Sequence, residues 1–284
     1  MIFDGKQLAQ KILDKLKTET ATWTKKPKVA VVSFGKEKES SSYILQKEKT
    51  AIFLGFGFNH YHYKESDFPK VRDYVNKIVK MENISAVVMQ LPLPEGISPA
   101  LVNVIPVAKD PDLLSDKAVG IFFNERSLVE PPTPAAILHI LDEAKIKIKN
   151  KKVVVFGFGR LVGRFLVPML LKRGALVSIV EKDADSASVL ELTLSSDIII
   201  SATGSPRSIT GDMVRANTVI VDAGFSILDG KIVGDVDYDS VKDKVSFITL
   251  VPGGVGPVGV AQLFLNVTKL FKRHQYTNAS ELRE

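Results

Sequence analysis

Residues 151–163 read Lys151-Lys-Val-Val-Val-Phe-Gly157-Phe-Gly-Arg-Leu-Val-Gly163. A β-branched run ends at Phe156, and glycines at 157, 159 and 163 lead into an apolar helical pattern. Strand, glycine loop and helix in that order form the setting in which a helix N-terminus receives a dinucleotide pyrophosphate. The last glycine falls one place later than in G-x-G-x-x-G, because Val162 holds the expected position. A tight structural turn is the competing reading. Glu181 ends the next strand, roughly 20 residues downstream, where an acid hydrogen-bonds ribose hydroxyls and repels a 2′-phosphate. Lys182 beside it would instead receive that phosphate, so these residues leave NAD and NADP both open.

The alternation extends outward from this loop. Strands are expected at Ala175–Glu181, Asp197–Thr203 and Thr218–Ala223. Upstream, helices at 6–20, 40–54 and 67–81 alternate with strands at 28–34, 58–63 and 86–91. Such a rhythm predicts parallel sheets in an α/β arrangement. It breaks at 109–134, through Lys109-Asp-Pro-Asp112 and Pro131-Pro-Thr-Pro134, which reads as a crossing between two domains. We expect an α/β substrate domain over 1–125 and a Rossmann-type dinucleotide domain over 126–259. An apolar helix from Val260, carrying Leu263, Val267, Leu270 and Phe271, is expected to return to the first domain.

Composition narrows the function classes. The chain has 284 residues, 45% hydrophobic and 25% charged, and no cysteine, which removes disulfides, thiolate catalysis and cysteine-ligated zinc. No stretch approaches the roughly 18 apolar residues of a membrane span, and the first residues lack a secretory pattern. A cytoplasmic location is the expectation. The net charge of +6 is dispersed among acids, as in Lys36-Glu-Lys-Glu39, which reads as a solvated surface rather than a nucleic-acid face. His60-Tyr-His62 points two imidazoles to one side of a strand, but no third ligand is visible, so no metal site is expected.

Two further stretches carry chemistry. Pro252-Gly-Gly-Val-Gly-Pro257 follows the apolar strand Phe247–Val251 and places three glycines and two prolines in six residues. A backbone bare of side chains and stiffened at both ends suits a flat ligand. In Ser40-Ser-Ser-Tyr43-Ile-Leu-Gln-Lys47, Tyr43 and Lys47 stand one helical turn apart. A lysine held in an apolar cleft becomes an acid/base group. Gln90 ends an apolar strand, where ligands of open α/β sheets bind, and Asp112 lies in the crossing segment.

Together these residues resemble the bifunctional methylenetetrahydrofolate dehydrogenase/methenyltetrahydrofolate cyclohydrolase family. The resemblance rests on Asp4-Gly-Lys6, Tyr43-x-x-x-Lys47, Gln90-Leu-Pro-Leu-Pro94, Lys109-Asp-x-Asp112, Thr133-Pro134, the glycine loop, Gly234-Asp-Val236 and Pro252–Pro257. It implies Lys47 as the central catalytic residue, with Tyr43 and Gln90 shaping its proton affinity and Asp112 holding the pterin edge. Ser40, Leu91, Pro252, Gly253 and Gly254 would join these against the folate substrate. Gly157, Phe158, Gly159, Arg160, Val162, Gly163, Glu181, Lys182, Gly204 and Phe225 would bind the coenzyme, NADP by the resemblance. A homodimer is also implied.

The chain departs from the family pattern at Leu113 in place of glycine, Gly159 in place of serine, Phe165 in place of proline, Pro132 in place of cysteine and Gly259 in place of threonine. These bear on coenzyme choice and on the balance of the two reactions. Two other readings compete: a shikimate-type two-domain dehydrogenase, and a non-catalytic folate- or nucleotide-binding regulator on the same scaffold.

Overall fold

The computed structural model describes residues 1–35 and 41–281, with no side-chain placement for 41 or 276–281. The chain begins with β1 (Ile2–Phe3), α1 (Gly5–Thr20), β2 (Lys28–Phe34), α2 (Ser41–Leu54), β3 (Gly57–Tyr63), α3 (Val71–Lys80), β4 (Ala86–Met89), α4 (Asp116–Phe123) and α5 (Pro132–Glu143). It continues through β5 (Lys152–Phe156), α6 (Gly163–Lys172), β6 (Leu176–Val180), α7 (Ser186–Ser195), β7 (Ile198–Ser201) and β8 (Val219–Asp222). The hairpin β9 (Ser226–Leu228) and β10 (Lys231–Val233) follows, then α8 (Tyr238–Val241), β11 (Phe247–Thr249) and α9 (Val255–Glu281).

Two compact units result. One comprises Ile12–Pro132 and Val260–Glu284, the other Met1–Lys11 and Thr133–Gly259. The expected boundaries put residues 1–11 with the first unit, but β1 pairs parallel with β11 through Ile2↔Ile248 and extends the larger sheet. Two residues are too short to carry a periodic signal, so only the pairing reveals them.

The first unit holds the parallel sheet β3-β2-β4. Ala30, Val32, Val87 and Met89 pack on Val71, Val75 and Ile78 of α3. The helix expected at 67–81 begins only at Val71, after a 3₁₀ turn that contains Pro69. Residues 109–134 are also more ordered than a bare crossing: Ser115 caps α4, and α5 starts at Pro132, where a first-turn proline costs no hydrogen bond. From α9, Phe264 packs on Phe56 with ring centroids 6.1 Å apart. Full burial of that phenyl contributes about 3 kcal/mol.

The second unit is an all-parallel sheet ordered β1-β11-β8-β7-β5-β6. Near-continuous apolar runs such as Val153–Phe156 and Ile198–Ile200 are buried, as a sheet covered on both faces requires. The closing helix begins at Val255 rather than Val260, so Pro257 lies in its first turn. Amide hydrogens there have no intrahelical partner, so proline's missing donor is tolerated. The loop proper is therefore shorter than the composition of 252–257 indicated.

Candidate active site

Helix α2 buries Ile44, Ala51 and Leu54 and leaves Tyr43 and Lys47 half-buried on one side. The Lys47 ammonium donates to Gln90 Oε1 at 2.8 Å. Gln90 follows β4 directly, at the carboxyl edge of the sheet, and its own amide donates to the Leu91 carbonyl at 3.0 Å. That second bond aims the Gln90 oxygen at the lysine. Burial lowers the pKa of Lys47, and the nearby Asp112 carboxylate partly offsets this. Burial raises Asp112 to about 6, opposed by Lys47 and assisted by Asp110. Tyr43 is raised by burial. A lysine that releases its proton more readily stands near a carboxyl that takes one up more readily, which suits proton transfer close to neutral pH.

The segment carrying Asp112 is held by residues that motif reading did not single out as site residues. Asp110, 1% exposed, accepts from the backbone amides of Leu114 at 3.0 Å and Ser115 at 2.8 Å, and from Ser115 Oγ at 2.7 Å. Asn266 of α9 donates to the carbonyls of Pro111 at 2.8 Å and Glu130 at 2.6 Å. Between these anchors Leu113 adopts φ 53° with its side chain buried. A left-handed leucine costs about 1 kcal/mol, and the bonds on either side fix it there. The available signal for Asn266 was a polar residue among Leu263, Val267 and Leu270 on an apolar helix face. Lys109 of the same motif points elsewhere: it donates to the carbonyls of Val79 and Met81 at 2.9 and 2.8 Å, closing the end of α3.

In the other unit, Gly157 has φ 88°, and a Cβ there would lie 2.9 Å from the Ala202 carbonyl oxygen. Any side chain at Gly163 would collide with the backbone of Gly157 and Phe158. Gly163, despite its shifted place in the pattern, thus supplies the close packing of strand-end loop against helix. Gly159 and Gly204 face open space. The Phe158 amide donates to Glu181 Oε1 at 2.5 Å, which brings the acid from the end of β6 to the first turn of the loop. Lys182 is exposed, and Arg160, Val162 and Phe225 are half-buried. A bare loop between β5 and α6, with an acid at the end of the neighbouring strand, fits a dinucleotide.

Pro252, Gly253 and Gly254 belong to this second unit. Gly253 has φ 113°, and its carbonyl accepts from the Gly5 amide at 2.9 Å. A side chain at Gly5 would strike the Gly254 carbonyl, while Asp4 Oδ1 accepts the Lys6 amide at 2.9 Å. Asp4-Gly5-Lys6 is therefore the backing of the Pro252–Gly254 loop. Ser40, expected against the substrate, lies outside the described residues. His60 Nε2 and His62 Nδ1 both meet the buried Ser33 hydroxyl, at 2.7 and 2.9 Å. Among the described residues, no group of three or more metal-ligating side chains forms, and no helix is long and apolar enough to cross a membrane.

Comparison with known proteins agrees with this arrangement. Residues 3–112 match the tetrahydrofolate dehydrogenase/cyclohydrolase catalytic domain, and residues 131–275 match the NAD(P)-binding domain of the same enzymes. The bifunctional protein FolD of Hydrogenobaculum is 37% identical over 277 residues, covering 96% of this chain and 99% of the relative. The FolD structure from Trypanosoma brucei, complexed with NADP and an inhibitor, superimposes with a TM-score of 0.91 at 29% identity, covering 96% of this chain and 98% of that one. Shikimate dehydrogenase from Aquifex aeolicus reaches 0.51 at 14% identity, covering 87% of this chain and 91% of that one, and shares the fold alone. With two family domains in order along almost the whole chain, this protein belongs to the tetrahydrofolate dehydrogenase/cyclohydrolase family, the bifunctional enzymes that oxidise methylenetetrahydrofolate and hydrolyse the methenyl product.

Proposed function

We propose that Lys47 carries the proton transfer of the hydrolytic reaction, with Gln90, Tyr43 and Asp112 setting its proton affinity. The observation behind this reading is the 2.8 Å bond from Lys47 to Gln90 at a position where burial favours the neutral amine. The bound nicotinamide supplies a hydride acceptor for the methylene bridge. A lysine without its full charge tolerates the methenyl cation that remains. In the second reaction water adds to that cation and Lys47 takes a proton from the attacking water. The C–N5 bond then breaks as N5 takes up a proton and the hydroxyl of the intermediate gives one up, so that 10-formyltetrahydrofolate and one net proton leave. Asp112 orients the pterin through its polar edge, with Leu91 and the backbone of Pro252–Gly254 lying along the ring. Ser40 completes the substrate contacts.

The loop Gly157–Gly163, with Gly204 and Phe225, holds the coenzyme in this reading. Glu181 argues for NAD over NADP, because a carboxylate placed beside the first loop amide repels a 2′-phosphate. Lys182 and the NADP in the Trypanosoma relative support the other choice. A cytoplasmic homodimer acting on a folate completes the reading, supported by the resemblance and by the absence of cysteine.

An absorbance assay of the purified protein with methylenetetrahydrofolate, run with NAD and NADP in parallel, tests this. Folate-dependent reduction of the coenzyme, followed by loss of the methenyl chromophore, is expected. Binding of folate without turnover would favour the regulator instead.

A further inference from the structure

Asp235 follows β10 and is fully buried. Its Oδ2 accepts three hydrogen bonds from the segment leaving β7: Ser201 Oγ at 2.7 Å, the Thr203 amide at 2.7 Å and Thr203 Oγ1 at 2.9 Å. Thr203 Oγ1 in turn accepts the Ser205 amide at 3.1 Å. One carboxylate oxygen therefore sets the course of Thr203–Ser205. That segment starts beside the glycine loop, where Ala202 lies against Gly157.

Asp235 is itself held in place. Asp222, at the end of β8, accepts the amides of Gly224 at 2.9 Å, Asp235 at 3.2 Å and Val236 at 3.0 Å. Side chains at Gly224 and Gly234 would collide with the carboxyl groups of Asp235 and Asp222 respectively. Burying a carboxylate is costly unless it is paired, and among the described residues no cation bridges to either aspartate. Asp235 Oδ1 has no hydrogen-bond partner. Closing a strand-end turn does not require a second dry carboxylate, whereas gathering three donors onto one oxygen does favour a charged acceptor.

We propose that Asp235 is a positioning residue for the coenzyme: it fixes Thr203–Ser205 as one wall of the nucleotide cleft and acts on hydride transfer only through that wall. The inference rests on the reading that the loops after β5 and β7 receive the coenzyme. Preorganising the segment removes an ordering cost that binding would otherwise meet.

The test compares wild type, Asp235→Ala and Asp235→Asn by titration with reduced coenzyme, and by separate dehydrogenase and cyclohydrolase assays. Asparagine keeps an acceptor for Ser201 and Thr203 and puts its amide at the unpartnered position. Asp235→Ala is expected to raise the coenzyme Kd and KM about tenfold, with cyclohydrolase turnover unchanged, and Asp235→Asn to restore most of the affinity. Should Asp235→Ala fail to fold, Thr203→Val at an exposed position carries the test, with a rise of about threefold in coenzyme KM expected. Wild-type coenzyme affinity in the folded variants, no rescue by asparagine, or parallel loss of both activities would overturn the proposal. Wild-type protein that binds no coenzyme in the same titration would instead overturn the coenzyme reading itself.

Discussion

Replacing Asp112 by asparagine removes a carboxyl that burial raises to about 6, against about 3.9 in an unfolded chain. Between those values the folded chain keeps a proton that the unfolded chain has released. Stability from this group is therefore present at low pH and lost as pH rises from roughly 4 through 6. A displacement of about two units is worth about 3 kcal/mol. Asp110, raised in the same direction by burial, adds to the slope. The single tryptophan, Trp23, stacks on Phe271 with centroids 5.6 Å apart, in the unit that holds Asp112. Its fluorescence reports unfolding of that unit. Urea unfolding followed by this signal is expected to show wild type losing stability from roughly pH 4 through 6. Asp112→Asn should keep only the slope from Asp110 and exceed wild type in stability near pH 7. The gain should stay below about 3 kcal/mol, because Lys47 loses the carboxylate that partly offsets its burial. Asp222, raised to about 6 in the other unit, serves as the control: Asp222→Asn should leave the fluorescence-detected slope intact. An identical pH slope in wild type and Asp112→Asn refutes the reasoning.

Lys47→Met is expected to lower cyclohydrolase turnover by at least about a hundredfold while leaving coenzyme affinity and the Trp23 unfolding signal in place; near-normal hydrolysis of methenyltetrahydrofolate would sink the assignment of Lys47. Glu181→Gln, which removes the charge at the end of β6, is expected to shift the ratio of kcat/KM values about tenfold towards NADP, and an unchanged ratio would show that Glu181 does not read the 2′-position.

Much of the architecture was legible because helix and strand periods differ and because glycine and proline punctuate them. The run Lys151–Gly163 announced strand, loop and helix, and the structure places β5 and α6 there. Errors fell where a local pattern was overruled or absent. Pro257 misplaced the start of α9, since a first-turn proline looks like a stop yet is compatible with a helix, while the 3₁₀ turn around Pro69 delayed the start of α3 from the expected 67 to Val71. The hairpin β9–β10 is three residues per strand, too short to announce itself. In the candidate site, Tyr43, Lys47, Gln90 and Asp112 were visible as residue types at telling positions. Asp110 stood in the same motif as Asp112 without its supporting role being evident, and Asn266 was not singled out, because a hydrogen bond between residues 155 apart leaves no trace in spacing.

By itself, the order of apolar runs, glycines and chemically distinctive side chains determined an α/β chain in two parts, its family and a short set of candidate site residues. Those properties depend on local periodicity and on residue identity, which a linear string carries. Tertiary structure decided that Lys47 meets Gln90 and has its pKa lowered by burial, that burial raises Asp112 to about 6, and that Glu181 folds back onto the Phe158 amide. Desolvation and hydrogen-bond direction depend on what surrounds a group in space, and residues far along the chain supply those surroundings.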